Sequence, residues 1–520
     1  MRSDLAAAVD DVLAVDAETF QARVEEDAEV IKAEIAEGTF NNPQAIVGLE
    51  YEFYAVTAER WVARQTGTTA ETGTLARVPR RLLSYIGFEK ELGLHNAEMS
   101  TSPQPLNPYG LAAQEDEVCA RLSAAEDAMD AEGLRLVSDA MWTTPPSGET
   151  ARSYLTDSVE DHGVRIATNM SASTRYHAMA NASRSAGMTV DAPHVHLEAD
   201  TVMPESLITS IQPHYQVAHA SDLPAYFRYA LRFAGPLLAL GVNSPFFPPD
   251  LYDADATPEA ILADGLDEHR IGVFESVLNG HEQAKVRFPE DLATVEEAVD
   301  RIAGDATMVP MPVSTGDRFD DEFAHFRLKH GTYWRWARPV FGGETRSAAN
   351  ARIEFRPIPG QPTVRDSIAF QAAFAGLLES LPTREHPLWD LDWERARENF
   401  YAAAHDGLDA DLTWITNSGE ETTDRETLYA DLFAHAEDGL QARGLTAEQS
   451  AKYLWPLRQR ARHGVTPASW KRDRVRERLD EGADFESAVY GMQREYVERQ
   501  AATLFEGSFA GWLGRGTSGL

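Results

Sequence analysis

The segment HVHLEAD, residues 194–200, alternates imidazole or carboxylate with apolar side chains. As a strand it would carry His194, His196 and Glu198 on one face and Val195 and Leu197 on the other. Two more segments share the pattern. GLEYEFYAV (48–56) sets Glu50 and Glu52 against Leu49, Tyr51 and Phe53, and ARIEFRP (351–357) sets Arg352, Glu354 and Arg356 against Ile353 and Phe355. Glu91 and Glu98 in ELGLHNAEM (91–99) join the set if a bend lies between them, because their odd spacing otherwise points them to opposite faces. Clustered glutamates repel one another unless a cation neutralises them. Several carboxylates with one imidazole suit Mg²⁺ or Mn²⁺. The arginines suit a phosphate or carboxylate, gripped by two parallel hydrogen bonds. Metal and arginine without a redox motif point to phosphoryl transfer. The competing reading is a set of solvated strand faces, which antiparallel sheets commonly have. It suffices for any one segment; three together weigh against it, because charged residues are depleted in strands.

The elements that must position these residues read as α+β with an antiparallel sheet, since strands and helices do not alternate regularly. Residues 1–40 form an acidic helical N-terminal extension, 41–388 the catalytic domain and 389–520 a helical C-terminal region. PESLITSIQPHYQVAHA and DLPAYFRYALRFAGPLLALGVNSP read as helices between the polar strands. HFRLKHGTYWRWARPVFGGETR (325–346) is rich in Arg and Trp; His330, Arg335 and Arg338 could hold phosphates or a substrate carboxylate there, or the segment could be a buried aromatic hairpin.

The chain carries a net charge of −36, and only six of its 47 basic residues are lysine. Such charge repels nucleic acid and anionic lipid, so neither is an expected partner. It also repels itself, unless salt near 1 M shortens the screening length to about 3 Å. A carboxylate-rich, lysine-poor composition is that of a halophilic protein; the competing reading is an acidic mesophilic protein with GC-rich coding. No apolar run is long enough for a membrane span. Asp residues inside the N-terminal apolar stretch argue against a signal peptide. The single cysteine, Cys119, allows no intrachain disulfide and fits a reducing cytoplasm. There is no P-loop, no C-x-x-C and no H-E-x-x-H. The tail GRGTSG (514–519) matches G-x-G-x-x-G, but it lacks the strand and helix that a dinucleotide site needs.

GLEYEFYAV, ELGLHNAEMSTSP, HVHLEAD, PLLALGVNSPFF and ARIEFRP occur in an order and spacing that resemble the glutamate–cysteine ligase family, in its archaeal and bacterial carboxylate–amine ligase branch. The resemblance covers roughly residues 44 to 385. It implies a glutamine-synthetase-like fold, an antiparallel sheet curled into a funnel with metals on its inner face. The implied reaction uses ATP to phosphorylate the γ-carboxylate of glutamate, after which the amine of cysteine displaces phosphate to give γ-glutamylcysteine. Carried over by motif, Glu50, Glu52, Glu91, Glu98, His196 and Glu354 are metal ligands for Mg²⁺ or Mn²⁺. Arg356 and Glu354 act in catalysis. His194, Arg352 and Asn243 are expected to contact substrate or ATP, and so are Arg335 and Arg338, although their segment 325–346 has no clear counterpart in the family. A relative with another amine substrate and a non-catalytic binding protein are the alternatives.

Overall fold

The computed structural model describes residues 2–58, 61–62, 69–70, 72–182, 188–279 and 284–513, so the GRGTSG segment lies outside the described residues. Helices α1 (Arg2–Leu13) and α2 (Ala17–Ala36) precede strand β1 (Ile46–Thr57). Then come β2 (Phe88–Lys90), β3 (Asn96–Ser100), β4 (Gln104–Pro105), α3 (Pro108–Asp130) and β5 (Leu134–Val137). A hairpin of β6 (Met188–Ala192) and β7 (Val195–Ala199) leads to β8 (Ile211–Val217). Helices α4 (Leu223–Gly241), α5 (His269–Leu278), α6 (Val295–Ala303) and α7 (Ala324–His330) separate it from β9 (Ala337–Gly342) and β10 (Asn350–Phe355). Helix α8 (Val364–Ser380) follows, and after it α9 (Trp393–Asp406), α10 (Arg425–Ala442), α11 (Ala447–His463), α12 (Pro467–Asp480) and α13 (Phe485–Thr503).

The α+β expectation holds. An antiparallel sheet in the order β9-β10-β8-β1-β3-β2, with β4 and β5 also on β1, curls into a half-barrel. Its register stacks the polar residues. Glu50 faces Gln212 and Ser100, Glu52 faces Glu98, and Glu354 faces His214 and Arg338. The opposite face is core: Leu49, Tyr51, Phe53, Ile353 and Phe355 are fully buried. There Phe355 stacks on Phe374 of α8 at 4.8 Å, and Phe233 of α4 closes the cluster at 5.9 Å from Phe355. Burying each such ring contributes about 1.5–3 kcal/mol, which ties the polar face to a fixed support.

Two expectations are corrected. HVHLEAD does not enter the sheet; it is half of the separate β6–β7 hairpin, and His194 is a turn residue at φ +61°. The strand that fills its place is β8, within a segment expected to be helical. Its sequence, IQPHYQV, does alternate: Gln212, His214 and Gln216 share the polar face. Pro213 disguises it, because proline is rare in central strands. Here the proline removes no ladder bond. Its partner Leu49 spends its N–H and C=O on Thr101 instead, and pairing with β10 begins only at His214.

The C-terminal helices brace the sheet from behind. Helix α10 crosses α8 so closely that a Cβ on Gly439 would lie 1.9 Å from the carbonyl oxygen of Gly376, so only glycine fits. Lys471 of α12, wholly buried, donates to Asp139 and to the carbonyl of Asn243 (2.7 Å). Asp139 also accepts from Gln493 at 2.9 Å and Tyr54 at 3.1 Å. Removing one partner of such a pair leaves a buried charge. Lys471→Ala is therefore expected to cost about 3–5 kcal/mol, read from the denaturant midpoint, and Lys471→Met with Asp139→Asn should recover much of the loss. An unchanged midpoint for Lys471→Ala would count against this account.

Candidate active site

Two cavities adjoin on the concave face. The larger, about 780 Å³, is walled by the first half of β1, the end of β8, β9, β10, α7 and the loop 342–350. Glu50, His214, Arg338, Arg352 and Glu354 face it, with Phe326 and Phe341 as apolar walls. The smaller has only about 40 Å³ of free space and is lined by Glu52, Glu91, Glu205, Arg270, Phe274 and Arg356. The alternation of β1 and β10 explains the division. Moving two residues along either strand, from Glu50 to Glu52 or from Glu354 to Arg356, passes from one cavity to the next.

The charges fall into two groups. Glu354 is held by Arg338 (2.9 Å) and Arg356 (2.6 Å). Burial would raise its pKa, but these guanidiniums keep it well below the carboxylate range. Glu50 lies 3.3 Å from Nε2 of His214, which offsets the burial cost and lowers its pKa. In the second group the compensation is smaller, although Glu52 accepts from the Ser210 N–H at 2.6 Å and from Gln212 at 2.8 Å. Burial, then the charge of Glu91, pushes Glu52 up to about 7. Burial, then Glu50, Glu91 and Glu52, pushes Glu98 well above its ordinary value. Burial, then Glu91 and Glu52, pushes Glu205 up to about 8. Arg356, which also donates to Gln212 at 2.6 Å, stands between the groups.

Carboxylates converging with raised pKa values, beside Glu50 and its imidazole neighbour His214, are a donor set for a hard divalent cation. Glu50, Glu52, Glu91, Glu98 and Glu354 come together here, and the bend anticipated between Glu91 and Glu98 is the turn at 91–95. Arg338, Arg352 and Arg356 join them. Other expected residues do not. His196 is half-exposed on the hairpin, bonded to Asp191 at 2.5 Å. His194 is bonded to Asp264 at 2.8 Å. Arg335 is buried away from both cavities, paired with Asp305 at 2.8 Å and stacked 4.3 Å over Tyr333. Asn243 is spent behind the sheet on Gly360 (2.8 Å) and Tyr496 (3.1 Å). Missing from the expected set were His214, Glu205 and Arg270. The parity of IQPHYQV could have shown His214. Glu205 sits on a single 3₁₀ turn (Met203–Leu207) and Arg270 at the start of α5, where no periodicity singles them out.

A second cluster, His386, Asp431 and His435, has ligand-like spacing among the described residues. Its donors are already used. Nδ1 of His386 accepts from the Leu388 N–H at 3.0 Å, so its Nε2 carries the proton donated to Asp431 at 3.1 Å. Asp431 also accepts from Trp414 at 2.8 Å and the Asn417 N–H at 3.1 Å. It is a hydrogen-bond hub.

The model of a family described as glutamate-cysteine ligase family 2 (GCS2) matches residues 46–503. No curated protein matches the sequence. Among solved structures the chain is similar to the glutamate–cysteine ligase of Francisella tularensis in complex with AMP, with 11% identity, 91% of this chain and 92% of that chain covered, and a TM-score of 0.49. It is also similar to a bifunctional glutathione synthetase of Pasteurella multocida, with 12% identity, 91% of this chain covered and a TM-score of 0.48; the chain spans 55% of that protein.

Raised carboxyl pKa values mean that the folded state holds protons that the unfolded state releases above its ordinary carboxylate pKa. Stability without metal should fall as pH rises from about 5 to 8. Added Mn²⁺ should restore it, more at pH 8 than at pH 6, in thermal melts. Glu98→Gln should flatten the slope, separating this site from general surface repulsion. An unchanged slope in that variant would remove Glu98 from the site.

Proposed function

The chain belongs to glutamate–cysteine ligase family 2 and is an ATP-dependent carboxylate–amine ligase, and from that premise we propose that it joins the γ-carboxylate of glutamate to the amine of cysteine. The observation that carries the assignment of the site is the junction between the two cavities, where Glu354, lining the larger, pairs at 2.6 Å with Arg356, lining the smaller. The larger cavity has the size for a nucleotide, with aromatic walls and arginines for phosphates. The triphosphate end then points at the boundary, and the acyl substrate comes from the small-cavity side. Side chains there must shift to admit it, since the free space is only about 40 Å³.

Glu50, Glu52, Glu98 and Glu354, with Glu91 and His214, would hold Mg²⁺ or Mn²⁺. When bound, that ion offsets charge on the phosphates and on the transferring phosphoryl group. The protein's own groups do the rest. Arg356, kept rigid by Glu354 and Gln212, presents fixed positive charge where the phosphoryl group crosses between cavities. The substrate carboxylate oxygen forms a bond to the γ-phosphorus as the bond to ADP breaks. The amine nitrogen then attacks the acyl carbon, the bond to phosphate breaks and the nitrogen loses a proton. Glu354 serves by orienting Arg338 and Arg356 as well as by its charge.

The composition supports a salt-adapted protein of a halophile's cytoplasm, since the self-repulsion of a net charge of −36 is relieved by strong screening. Activity is accordingly expected in about 2–3 M KCl and its loss, with the fold, on dialysis to low salt. The decisive assay measures ADP release with Mg²⁺, glutamate and cysteine at high salt, with the product identified by mass spectrometry. A γ-linked dipeptide is expected, and Arg356→Ala should lower kcat by about 10²–10³-fold in folded protein. ADP release with glutamate and a different amine would reassign the acceptor. No ADP with any pair from folded protein would overturn the site's role.

A further inference from the structure

The family match begins at residue 46, yet the helix α2 that precedes it is tied to the wall of the large cavity. Asp27 accepts hydrogen bonds from the backbone N–H groups of His325 (2.8 Å) and Phe326 (3.1 Å), the first turn of α7. Gln21 accepts from the buried Lys329 in the last turn of α7, and Phe20 packs edge-on against His325 at 5.8 Å. Glu34 pairs at 2.5 Å with Arg346, in the loop that joins β9 to β10. Helix α7 and that loop supply Phe326, Arg327, His330, Thr345 and Ala348 to the cavity.

The contacts continue to the reacting end. The carbonyl of His330 accepts from Arg338 at 3.1 Å, its Nε2 bonds the carbonyl oxygen of Pro339 at 2.9 Å, and Arg338 holds Glu354. One connected path thus runs from Asp27 through α7 to the arginine–glutamate pair at the boundary. We propose that α2 positions the nucleotide's binding wall, with Asp27 as the positioning residue that fixes α7 and through it Arg338. The inference rests on the reading of the large cavity as the nucleotide site. A helix that only covered apolar surface would need Phe20, Val24 and Ile31, all buried, but no buried polar ties to cavity-lining segments.

The test uses the full-length protein at high salt as wild type, Asp27→Ala, Asp27→Asn and Arg346→Ala. Hydrogen exchange of residues 324–330 is followed without nucleotide, and binding of a fluorescent ATP analogue with Mg²⁺ and the KM values of both ATP and glutamate are measured. Asp27→Ala should speed exchange in α7 and weaken nucleotide binding and KM for ATP by about tenfold, with kcat and the KM for glutamate within about twofold. Asp27→Asn keeps an acceptor oxygen and should recover most of the loss. Arg346→Ala should shift ATP in the same direction without Asp27 being touched. Wild-type ATP binding in Asp27→Ala, or losses shared equally by all substrates and tracking the melting temperature, would overturn the proposal. If the wild type binds no nucleotide, the reading of the cavity falls, whereas unaltered α7 exchange in Asp27→Ala overturns the positioning role whatever the cavity binds.

Discussion

Glu52 and Glu98 occupy paired positions on neighbouring strands, with Glu50 two residues from one of them and Glu354 on the next strand but one. A sheet can bring four carboxylates so close only because strand alternation leaves them no other face: the opposite side of each strand is filled by Leu49, Tyr51, Phe53, Ile353 and Phe355. Turning any one glutamate away would expose core. The repulsion is therefore built in, and it is met in two ways. On the β10 side Arg338 and Arg356 pair with Glu354. On the β3 side Glu52, Glu91 and Glu98 face one another, and burial with their mutual repulsion raises their proton affinity, which Arg270 and Arg356 offset only in part.

Such a front requires support from behind. The polar groups on the convex side are arranged in the opposite manner, each charge matched at close range. Arg460 and Asp366, both without solvent exposure, pair at 2.9 Å, and Arg460 donates further to Gln361 and the carbonyl of Leu240. Lys471 and Asp139 form a second matched pair. Buried pairs like these add little net stability over apolar packing, but they penalise wrong arrangements strongly, because any shift strands a charge. They fix how the C-terminal helices dock, and so hold the sheet that holds the glutamates. Asn243, in the loop after α4, belongs to this rear network, which is why its sequence context resembled a functional segment while its side chain reaches neither cavity.

Period-two alternation made most of the acidic floor legible in the sequence. Glu50, Glu52, Glu354 and Arg356 stood out because each sits between apolar residues that had to be buried. The same signal misled at HVHLEAD, since alternation fixes the two faces of a strand but not the sheet it joins. Its His196 is on a real strand with a real polar face, and that face meets solvent, whereas His194 lies in the turn before it. At β8 the alternation was present but was overridden by proline, whose cost depends on whether the ladder needs that N–H, a fact of register rather than of sequence. Arg270 and Glu205 arrive from helical turns, and their proximity to Glu52 is set by long-range packing, on which local pattern is silent.

Helix α2 shows the same limit from another direction. Its sequence reads as an acidic helix, and Asp27 is one of six acidic residues from Glu18 to Glu34 on that helix, indistinguishable by type from its exposed neighbours. What separates Asp27 is that the first N–H groups of a short helix need acceptors, and α7 has no side-chain cap of its own. The acceptor comes from a segment nearly 300 residues earlier, with |i−j| of 298 and 299. In a chain so rich in carboxylates, the ones that matter are those whose removal would leave a donor unpaired or a like charge unbalanced. By that criterion the floor of the sheet and the cap on α7 are two parts of one arrangement, joined through His330, Arg338 and Glu354.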